Sequence, residues 1–383
     1  MKYIEGNTDI VTIAGNRPEV IKLSQLVKSI NDSKNCKHVF LYTGQHYSHN
    51  MKDIFFDALD VQPDYDLKCD TSDVTTLKNN IAKFLLITKP QLVIVYGDTN
   101  STLAGALAAK EMTNCNCKLI HIEAGLRSFD MRMPEERNRI LVDAISDYLF
   151  VPTELAKTFL RYENIENNVH VTGNLIVDVC RKFSLYAEFK DQARLPDKFL
   201  LLTLHRAENV DDPTILHALS NHLSELKFDV VYPIHPRTRS NLIKYNIQLP
   251  NNVMVIEPVG YLDFLGLLKK CMLILTDSGG VQEEALILAK PCITLRNSTE
   301  RQETLLLRAN RLFPLLDNDE NSSLSNVIEE MLHSKIIVNN PYGEHVTSNI
   351  LELLSELIIT SETKSQELKA ETIEKEASRG ILY

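Results

Sequence analysis

The chain alternates short apolar runs with longer stretches in which apolar residues recur at helical spacing. Short runs rich in β-branched residues are typical of buried strands, and the longer stretches are typical of amphipathic helices. Predicted strands of the first half cover residues 9–14, 38–42, 92–96, 118–122 and 148–151. Predicted helices between them cover residues 18–31, 73–86, 101–112 and 134–145. Because strands that alternate with helices form parallel sheets, this half is predicted to be a doubly wound α/β domain.

The same alternation restarts after a polar, charged stretch at residues 187–198. Further predicted strands cover residues 199–203, 230–233, 253–256, 272–275 and 292–295. A chain of 383 residues is long enough for two such domains. We therefore predict one domain at residues 1–185, a second at 186–350, and a final helix with a charged tail at 351–383.

Composition and charge exclude several classes of protein. With 44% hydrophobic residues the chain can form a full core, and a net charge of −10 offers no general basic surface for nucleic acid. No window reaches the roughly 18 apolar residues of a membrane span, and the N-terminus lacks an export pattern, so a cytoplasmic protein without a membrane partner is expected. The seven cysteines are scattered, and the close pair Cys115 and Cys117 lacks a second pair that would complete a zinc site.

Common cofactor motifs are absent from the sequence. It contains no G-x-G, so a dinucleotide fingerprint and a kinase loop are both missing, and G-x-x-x-x-G-K-[ST], H-E-x-x-H and G-x-S-x-G are missing too. We therefore expect no cofactor and no metal. Polar residues instead cluster after predicted strands, where open α/β sheets bind ligands.

Four such clusters lie in the first domain. Arg17 in AGNRPE is a fork donor suited to phosphate oxygens, although a turn in which it pairs with Glu19 is the alternative. His46 follows another strand in TGQHY, where a structural histidine is the alternative. Asp98 in GDTNS and Glu123 in HIEAGLRS follow two further strands.

A further acidic pair, Glu135 and Glu136, opens the helix of MPEERNR. Carboxylates that meet at one site can serve as acids and bases. Asp98 could instead cap a helix, and the pair could simply favour a helix N-terminus. Capping does not account for Glu123, so a catalytic set is the preferred interpretation.

The second domain carries a phosphate-binding pattern in TDSGGVQEEA. A predicted strand runs into Ser278, Gly279 and Gly280 before a helix, whose first N–H groups and positive dipole end suit a phosphate. Glu284 on that helix could reach ribose hydroxyls, whereas a helix capped by Asp277 or Ser278 is the alternative. The paired glycines favour phosphate binding.

Two histidines follow other strands of the second domain, His205 in TLHRAEN and His235 in HPR. Together the clusters indicate a nucleoside diphosphate bound by the second domain, with its sugar reaching carboxylates of the first. The sequence therefore predicts an enzyme that acts on a sugar nucleotide in a cleft between two domains.

The motifs also resemble a known family. GNRPEVIK, TGQH, YGDTNS, HIEAGLRS, MPEERNR, TLHRAEN, HPRTR, TDSGGVQEEA, RNSTER and NPYG occur in the order seen in non-hydrolysing UDP-N-acetylglucosamine 2-epimerases. The resemblance spans about residues 9–355. It implies two Rossmann-like domains in the GT-B arrangement of glycosyltransferases and glycogen phosphorylase, a last helix that crosses back to the first domain, and a homodimer.

The resemblance also implies roles for single residues. The positions that match catalytic residues are Asp98, Glu123, Glu135 and His205. The positions that match contacts to the UDP-sugar are Arg17, Lys22, Phe264, Ser278, Gly279, Gly280, Glu284 and Arg301. Among these, Phe264 would lie beside the uracil and Glu284 on the ribose. Asn16, Gln302 and Val259 depart from the residues usual in the family, which suggests altered detail at the rim of the site.

The expected reaction is the reversible C2 epimerisation of UDP-N-acetylglucosamine to UDP-N-acetylmannosamine, which would supply polysaccharide synthesis. The C2 hydrogen is not α to a carbonyl, so we expect elimination of UDP to 2-acetamidoglucal followed by re-addition. Which carboxylate removes the proton stays open. The alternatives are a 2-epimerase of a modified sugar, such as a UDP-diacetamido-uronic acid or a UDP-6-deoxy-N-acetylhexosamine, and, less favoured, a GT-B glycosyltransferase.

Overall fold

The computed structural model describes residues 8–33, 36–44, 59–112, 117–316, 323–334 and 340–358. By their internal contacts the residues form two compact units. The first unit comprises Met1–Gly125, Arg137–Leu175 and Glu344–Tyr383, and the second comprises Leu126–Glu136 and Ile176–Gly343. The domain bounds predicted near residues 185 and 350 stay predictions.

The first unit is built on a parallel sheet. Its strands are β1 (Ile10–Ala14), β2 (His38–Tyr42), β3 (Tyr65–Asp66), β4 (Leu92–Tyr96), β5 (Lys118–Ile122), β6 (Tyr148–Val151) and β7 (Val169–Val171). They lie in the order β3-β2-β1-β4-β5-β6-β7, and each neighbouring pair is parallel. Its helices are α1 (Arg17–Ser33), α2 (Val74–Thr88), α3 (Asn100–Lys110), α4 (Pro134–Ile145), whose first turn belongs to the second unit, and α5 (Glu154–Tyr162). Residues 346–358 are also helical.

The second unit contains a second parallel sheet. Its strands are β8 (Phe199–Thr203), β9 (Asp229–Pro233), β10 (Val253–Ile256), β11 (Leu273–Thr276), β12 (Cys292–Thr294) and β13 (Asn310–Leu312). They lie in the order β10-β9-β8-β11-β12-β13. Its helices are α6 (Ile176–Ser184), α7 (Ala207–Val210), α8 (Pro213–Ser224), α9 (Pro236–Lys244), α10 (Tyr261–Lys270), α11 (Gly279–Ile287), α12 (Gln302–Leu306) and α13 (Leu324–His333).

The central strands are buried along their whole length, as parallel sheets covered by helices require. Every residue of β1 (IVTIA) and β4 (LVIVY) is buried. Polar residues start the helices that follow: Asp73 accepts a hydrogen bond from the backbone of Thr76 at α2, and Thr99 accepts one from Thr102 at α3. The predicted fold class, with two Rossmann-like α/β units, is confirmed.

Strand order reverses between β1 and β4 in the first sheet and between β8 and β11 in the second. In open α/β sheets the carboxyl ends of the strands at such a switch point form the ligand-binding crevice. Every strand predicted from the apolar runs is present, and the structure adds β3, β7 and β13. These three are only two or three residues long, too short to produce an apolar run. Within the described residues, no helix is both long enough and apolar enough to cross a membrane.

Candidate active site

Glu123, at the end of β5, lies in a buried cluster with two donors. Lys22 Nζ, from α1, is 2.6 Å from Glu123 Oε2, and the Tyr96 hydroxyl, at the end of β4, donates to the same oxygen. The Lys22 ammonium also lies 5.5 Å from the centre of the Tyr96 ring. All three side chains are buried, so these charge-assisted bonds are not weakened by water.

The backbone at Glu123 adopts the left-handed conformation, with φ at 71°. This conformation is strained for a residue with a side chain and persists only where the surroundings enforce it. Here the Glu123 and Ala124 N–H groups donate to the Phe150 carbonyl at 3.1 and 3.2 Å. Gly125 packs so closely that a Cβ there would lie 2.6 Å from the Ala156 carbonyl oxygen. Packing on both sides therefore holds Glu123 in one position.

Asp98, which follows β4, is held by a buried arginine. Arg139 donates to Asp98 Oδ2 from Nε at 3.0 Å and from Nη2 at 2.7 Å. Asn138 Nδ2 donates to the Asp98 backbone carbonyl at 2.9 Å. The Arg139 side chain is 2% exposed and that of Asp98 is 25% exposed, so Arg139 fixes an Asp98 carboxyl group that still reaches solvent. Our sequence interpretation missed Arg139, although it lies in the MPEERNR motif.

Glu19 joins the loop after β1 to the loop after β4. Its Oε2 accepts from the Gly15 N–H at 2.5 Å, and burial raises the pKa of Glu19 to about 7. The Thr102 hydroxyl lies 2.7 Å from the Tyr96 carbonyl oxygen and 3.2 Å from Glu19 Oε1. A hydroxyl has one hydrogen and a carbonyl only accepts, so a proton on Glu19 completes the second contact. Glu19 is therefore a structural acid that joins the two loops.

A buried histidine and aspartate support both carboxylate loops from behind. His121 Nδ1 is 2.7 Å from Asp143 Oδ1, and His121 Nε2 is 2.8 Å from the carbonyl oxygen of Gly97. The Gly125 N–H donates to Asp143 Oδ2 at 3.1 Å. The pair therefore ties the residue before Asp98 to the turn after Glu123. Neither His121 nor Asp143 was singled out from the sequence.

In the second unit, His205 is oriented by the buried Asp277. His205 Nδ1 lies 3.1 Å from Asp277 Oδ1, and the N–H groups of His205 and Arg206 donate to Oδ2 at 3.0 and 2.8 Å. Burial alone would raise the pKa of Asp277, but His205 and these backbone N–H groups lower it to about 2. Asp277 thus stays ionised and holds the His205 ring in place. The alternative in which Asp277 caps α11 is wrong.

His235 lies near His205, with 6.2 Å between the ring centres. Its Nδ1 accepts from the Arg237 N–H at 3.2 Å and so caps α9. Burial lowers the pKa of His235, and the charges of His205 and Arg237 act in the same direction. This pair presents two imidazoles at the ends of β8 and β9.

The predicted phosphate site lies at the start of α11. Ser278 precedes the helix, and its side chain makes no capping hydrogen bond. A Cβ on Gly279 would lie 2.2 Å from Oε1 of Glu300, which is itself bonded to Arg296 Nη1 at 3.1 Å. A Cβ at this position would therefore displace the Glu300 carboxylate or the first turn of α11. Gly280 follows in the first turn of the helix.

The other predicted nucleotide contacts lie on α10, α11 and the loop before α12. Glu284 is buried, and burial together with the charge of Glu284 raises the pKa of Tyr261 on α10. Phe264 is half-buried on the same helix. Arg301 Nε is 2.7 Å from Glu283 Oε1. Glu284 and Phe264 are thus on neighbouring helices of one unit.

The acidic pair at the start of α4 divides into two environments. Glu136 accepts hydrogen bonds from the N–H groups of Ser128 and Phe129 at 3.0 and 2.8 Å, so it fixes its own loop. Arg206 is partly buried, which lowers its pKa, but the charges of Glu300 and Glu135 raise it overall. The charge of Glu135 therefore acts on the Arg206 guanidinium, whereas Glu136 has a structural role.

Two further residues were predicted to contact the substrate, His46 and Lys22. His46 lies outside the described residues. Lys22, predicted as a contact to the substrate, is bonded to Glu123. In the part of the chain that the structure describes, no group of three or more His, Cys, Asp or Glu side chains could hold a metal ion.

The family model for UDP-N-acetylglucosamine 2-epimerase matches residues 28–355, most of the chain. The chain belongs to the UDP-N-acetylglucosamine 2-epimerase family. Among curated relatives, the UDP-N-acetylglucosamine 2-epimerase of Methanococcus maripaludis is 43% identical over 360 residues, covering 88% of this chain and 96% of the relative. The UDP-2,3-diacetamido-2,3-dideoxy-D-glucuronate 2-epimerase of Pseudomonas aeruginosa is 44% identical over 317 residues, covering 79% and 87%.

The solved structure of another member of the family is also similar to the structure of this chain. The Methanocaldococcus jannaschii UDP-GlcNAc 2-epimerase, crystallised with UDP-GlcNAc and UDP, matches with a TM-score of 0.82 and 42% identity. The match covers 91% of this chain and 99% of that one. The family expected from the motifs is therefore confirmed, and with it the GT-B-like fold class.

Proposed function

We propose that the protein catalyses the reversible conversion of UDP-N-acetylglucosamine to UDP-N-acetylmannosamine. The observation that carries the proposal is the pair of carboxylates in the first unit: Glu123 held by Lys22 and Tyr96, and Asp98 held by Arg139. Both are fixed at the carboxyl ends of strands in a chain of the 2-epimerase family. Two relatives with this named activity are 43% and 44% identical to it.

The proposed chemistry is elimination and re-addition. A carboxylate takes the C2 proton, the C2–H electron pair forms the C1–C2 double bond of 2-acetamidoglucal, and the C1–O bond breaks with its electron pair going to UDP. In the return step UDP adds to C1 while an acid protonates C2 on the opposite face. We assign Asp98, Glu123 and Glu135 as the acid and base groups, and no cofactor takes part.

The negative charge that develops on the leaving UDP needs stabilisation by preorganised donors. His205 can supply one such donor, because its contact with the ionised Asp277 orients the imidazole. We assign the first turn of α11, at Ser278–Gly280, to the diphosphate, Glu284 to the ribose and Phe264 to the uracil. Further substrate contacts are assigned to Arg17, Lys22, His46, His235 and Arg301.

A second candidate substrate is a UDP-2,3-diacetamido-uronic acid. It is supported by the Pseudomonas aeruginosa relative, which is as similar to this chain as the UDP-N-acetylglucosamine 2-epimerases are. The two substrates differ at C3 and C6, whereas the elimination at C1 and C2 is common to both.

We also propose that the protein forms a homodimer and is located in the cytoplasm.

The test is to incubate the purified full-length protein with each UDP-sugar alone in deuterated water and to follow C2 by NMR. Epimerisation with one solvent deuterium at C2 per turnover is expected, with slow release of UDP and 2-acetamidoglucal. Asp98→Asn is the matched control and should be nearly inactive. Epimerisation that keeps the original C2 hydrogen would contradict elimination, and no product from either sugar would contradict the proposed function.

A further inference from the structure

The carboxylate of Glu123 receives two donors of different character on one oxygen. Lys22 contributes an ammonium on a flexible stem at 2.6 Å from Oε2, and Tyr96 contributes a neutral hydroxyl on a rigid ring. The Tyr96 side chain is 2% exposed, and the ammonium of Lys22 lies 5.5 Å from the centre of its ring. The three groups form one compact cluster inside the first unit.

The position of the Tyr96 hydroxyl is set by the sheet. Tyr96 is the last residue of β4 and pairs in register with Ile122 of β5, the residue before Glu123. The Tyr96 carbonyl oxygen also accepts a hydrogen bond from the Thr102 hydroxyl at 2.7 Å. Because Tyr96 ends β4 and Glu123 directly follows β5, the pairing of these two strands sets the distance between the phenol and the carboxylate.

The charge state follows from the donors. An ammonium and a hydroxyl that share one carboxylate oxygen favour the ionised form, and burial strengthens both bonds. A hydrogen bond to a charged group contributes more than one between neutral groups. If the Tyr96 hydroxyl is removed, the ionised form of Glu123 loses one of these two donors while the Lys22 bond remains.

We propose that Tyr96 is a positioning residue for proton transfer, whose hydroxyl holds Glu123 ionised and oriented to take the C2 proton. This rests on the proposed function for the reaction it serves. In this proposal Glu123 acts on the C2 proton, and Tyr96 acts through Glu123. The role of base is assigned to Glu123 because its two donors favour the ionised carboxylate that a base requires.

The test is Tyr96→Phe, which removes the hydroxyl and keeps the buried ring. The acidic limb of the pH profile of kcat/KM should move upward by about one unit, so the loss is about tenfold at low pH and small on the alkaline plateau. The dissociation constant for UDP should stay unchanged. A profile that is lowered equally at every pH, or is not altered, would overturn the proposal.

Tyr148→Phe is the matched control. Tyr148 begins β6 of the same sheet, and its ring lies 6.4 Å from that of His170 rather than beside Glu123. Its pH profile should match that of the unsubstituted protein. Placing the more acidic 3-fluorotyrosine at position 96 should instead move the limb downward, since it is a stronger donor.

A readout without turnover separates this inference from the proposed function. In protein labelled with ¹³C at glutamate carboxyls, the Glu123 signal is assigned by its loss in Glu123→Gln. Its titration midpoint should rise in Tyr96→Phe and not in Tyr148→Phe. An unmoved midpoint would overturn the role of Tyr96, whereas absent epimerisation by the unsubstituted protein with a moved midpoint would overturn only the proposed function.

Discussion

The switch points of the two sheets have the same strand order around them but different chemistry. In the first unit, Asp98 and Glu123 are carboxylates, each bonded to a cationic side chain from a helix. In the second unit the carboxylate at the equivalent place, Asp277, is completely buried and bonded to His205 and to backbone N–H groups. The same topology therefore presents anions in one unit and an imidazole with a helix N-terminus in the other.

This difference shows where function resides in such folds. The strands supply a buried scaffold in both units, and only the residues just beyond their carboxyl ends differ in charge. We propose that the first unit serves proton transfer and the second an anionic nucleotide. Four predictions test this division, taken from the largest expected effect to the smallest.

Glu123→Gln should lower kcat by about 10²–10⁴-fold while UDP binding is kept, because it removes a proton carrier and preserves shape. Steady-state kinetics and calorimetric titration with UDP measure the two effects. His205→Asn should, in contrast, also weaken UDP binding. If Glu123→Gln weakened UDP binding as strongly as it slowed turnover, the division of labour would be wrong.

Glu19→Gln should remove a pH dependence of stability. Glu19 has a folded-state pKa of about 7, above its usual 4.5, because it is buried. As the pH rises from about 4.5 to 7 the unfolded chain ionises and the folded one does not, so stability falls by about 3 kcal/mol across that window. Urea unfolding at several pH values should show this fall in the unsubstituted protein and not in the variant. An identical slope in both would refute the protonated Glu19.

Asp277→Asn should remove a contribution to stability that is present at neutral pH and lost in acid. The pKa of Asp277 is about 2 in the folded state, below its usual 3.8, so its contribution is complete above about pH 4 and is lost as the pH falls through 2. The variant should lose about 2 kcal/mol of stability near neutral pH and much less in acid. Thermal or urea unfolding measures this. If the variant lost the same free energy of unfolding at every pH, the ionised form of Asp277 would not be the form that stabilises the fold.

Gly279→Ala should raise KM by about tenfold, comparable to losing one hydrogen bond to a charged group. Its Cβ would lie 2.2 Å from Oε1 of the buried Glu300, so either the first turn of α11 or the Glu300 carboxylate must shift. Gly260→Ala is the control, since the nearest atom to its Cβ is Asp263 Oδ2 at 3.9 Å. Equal KM values for the two variants would exclude a role for the first turn of α11 in binding.

The acidic pair of α4 shows a limit of sequence interpretation. Glu135 and Glu136 are adjacent and chemically identical, so the residue types alone do not distinguish them, and only the family resemblance singled out Glu135. In the structure Glu136 bonds the loop at Ser128, whereas the charge of Glu135 acts on Arg206. Which of two neighbouring carboxylates can act in catalysis depends on packing around the helix and not on their spacing.

By itself, the sequence determined the two parallel sheets, the strands that carry polar residues at their ends, and the family. These follow from local patterns, because apolar runs and helical spacing are read within a few residues. Only the tertiary structure decided the partner of each charge. Lys22 and Glu123 are 101 positions apart, and Asp98 and Arg139 are 41 apart. No local pattern in the sequence connects the two members of such a pair, because the order of the strands sets the distance between them and their burial. The charged partner and the burial together then decide the protonation state of a carboxylate.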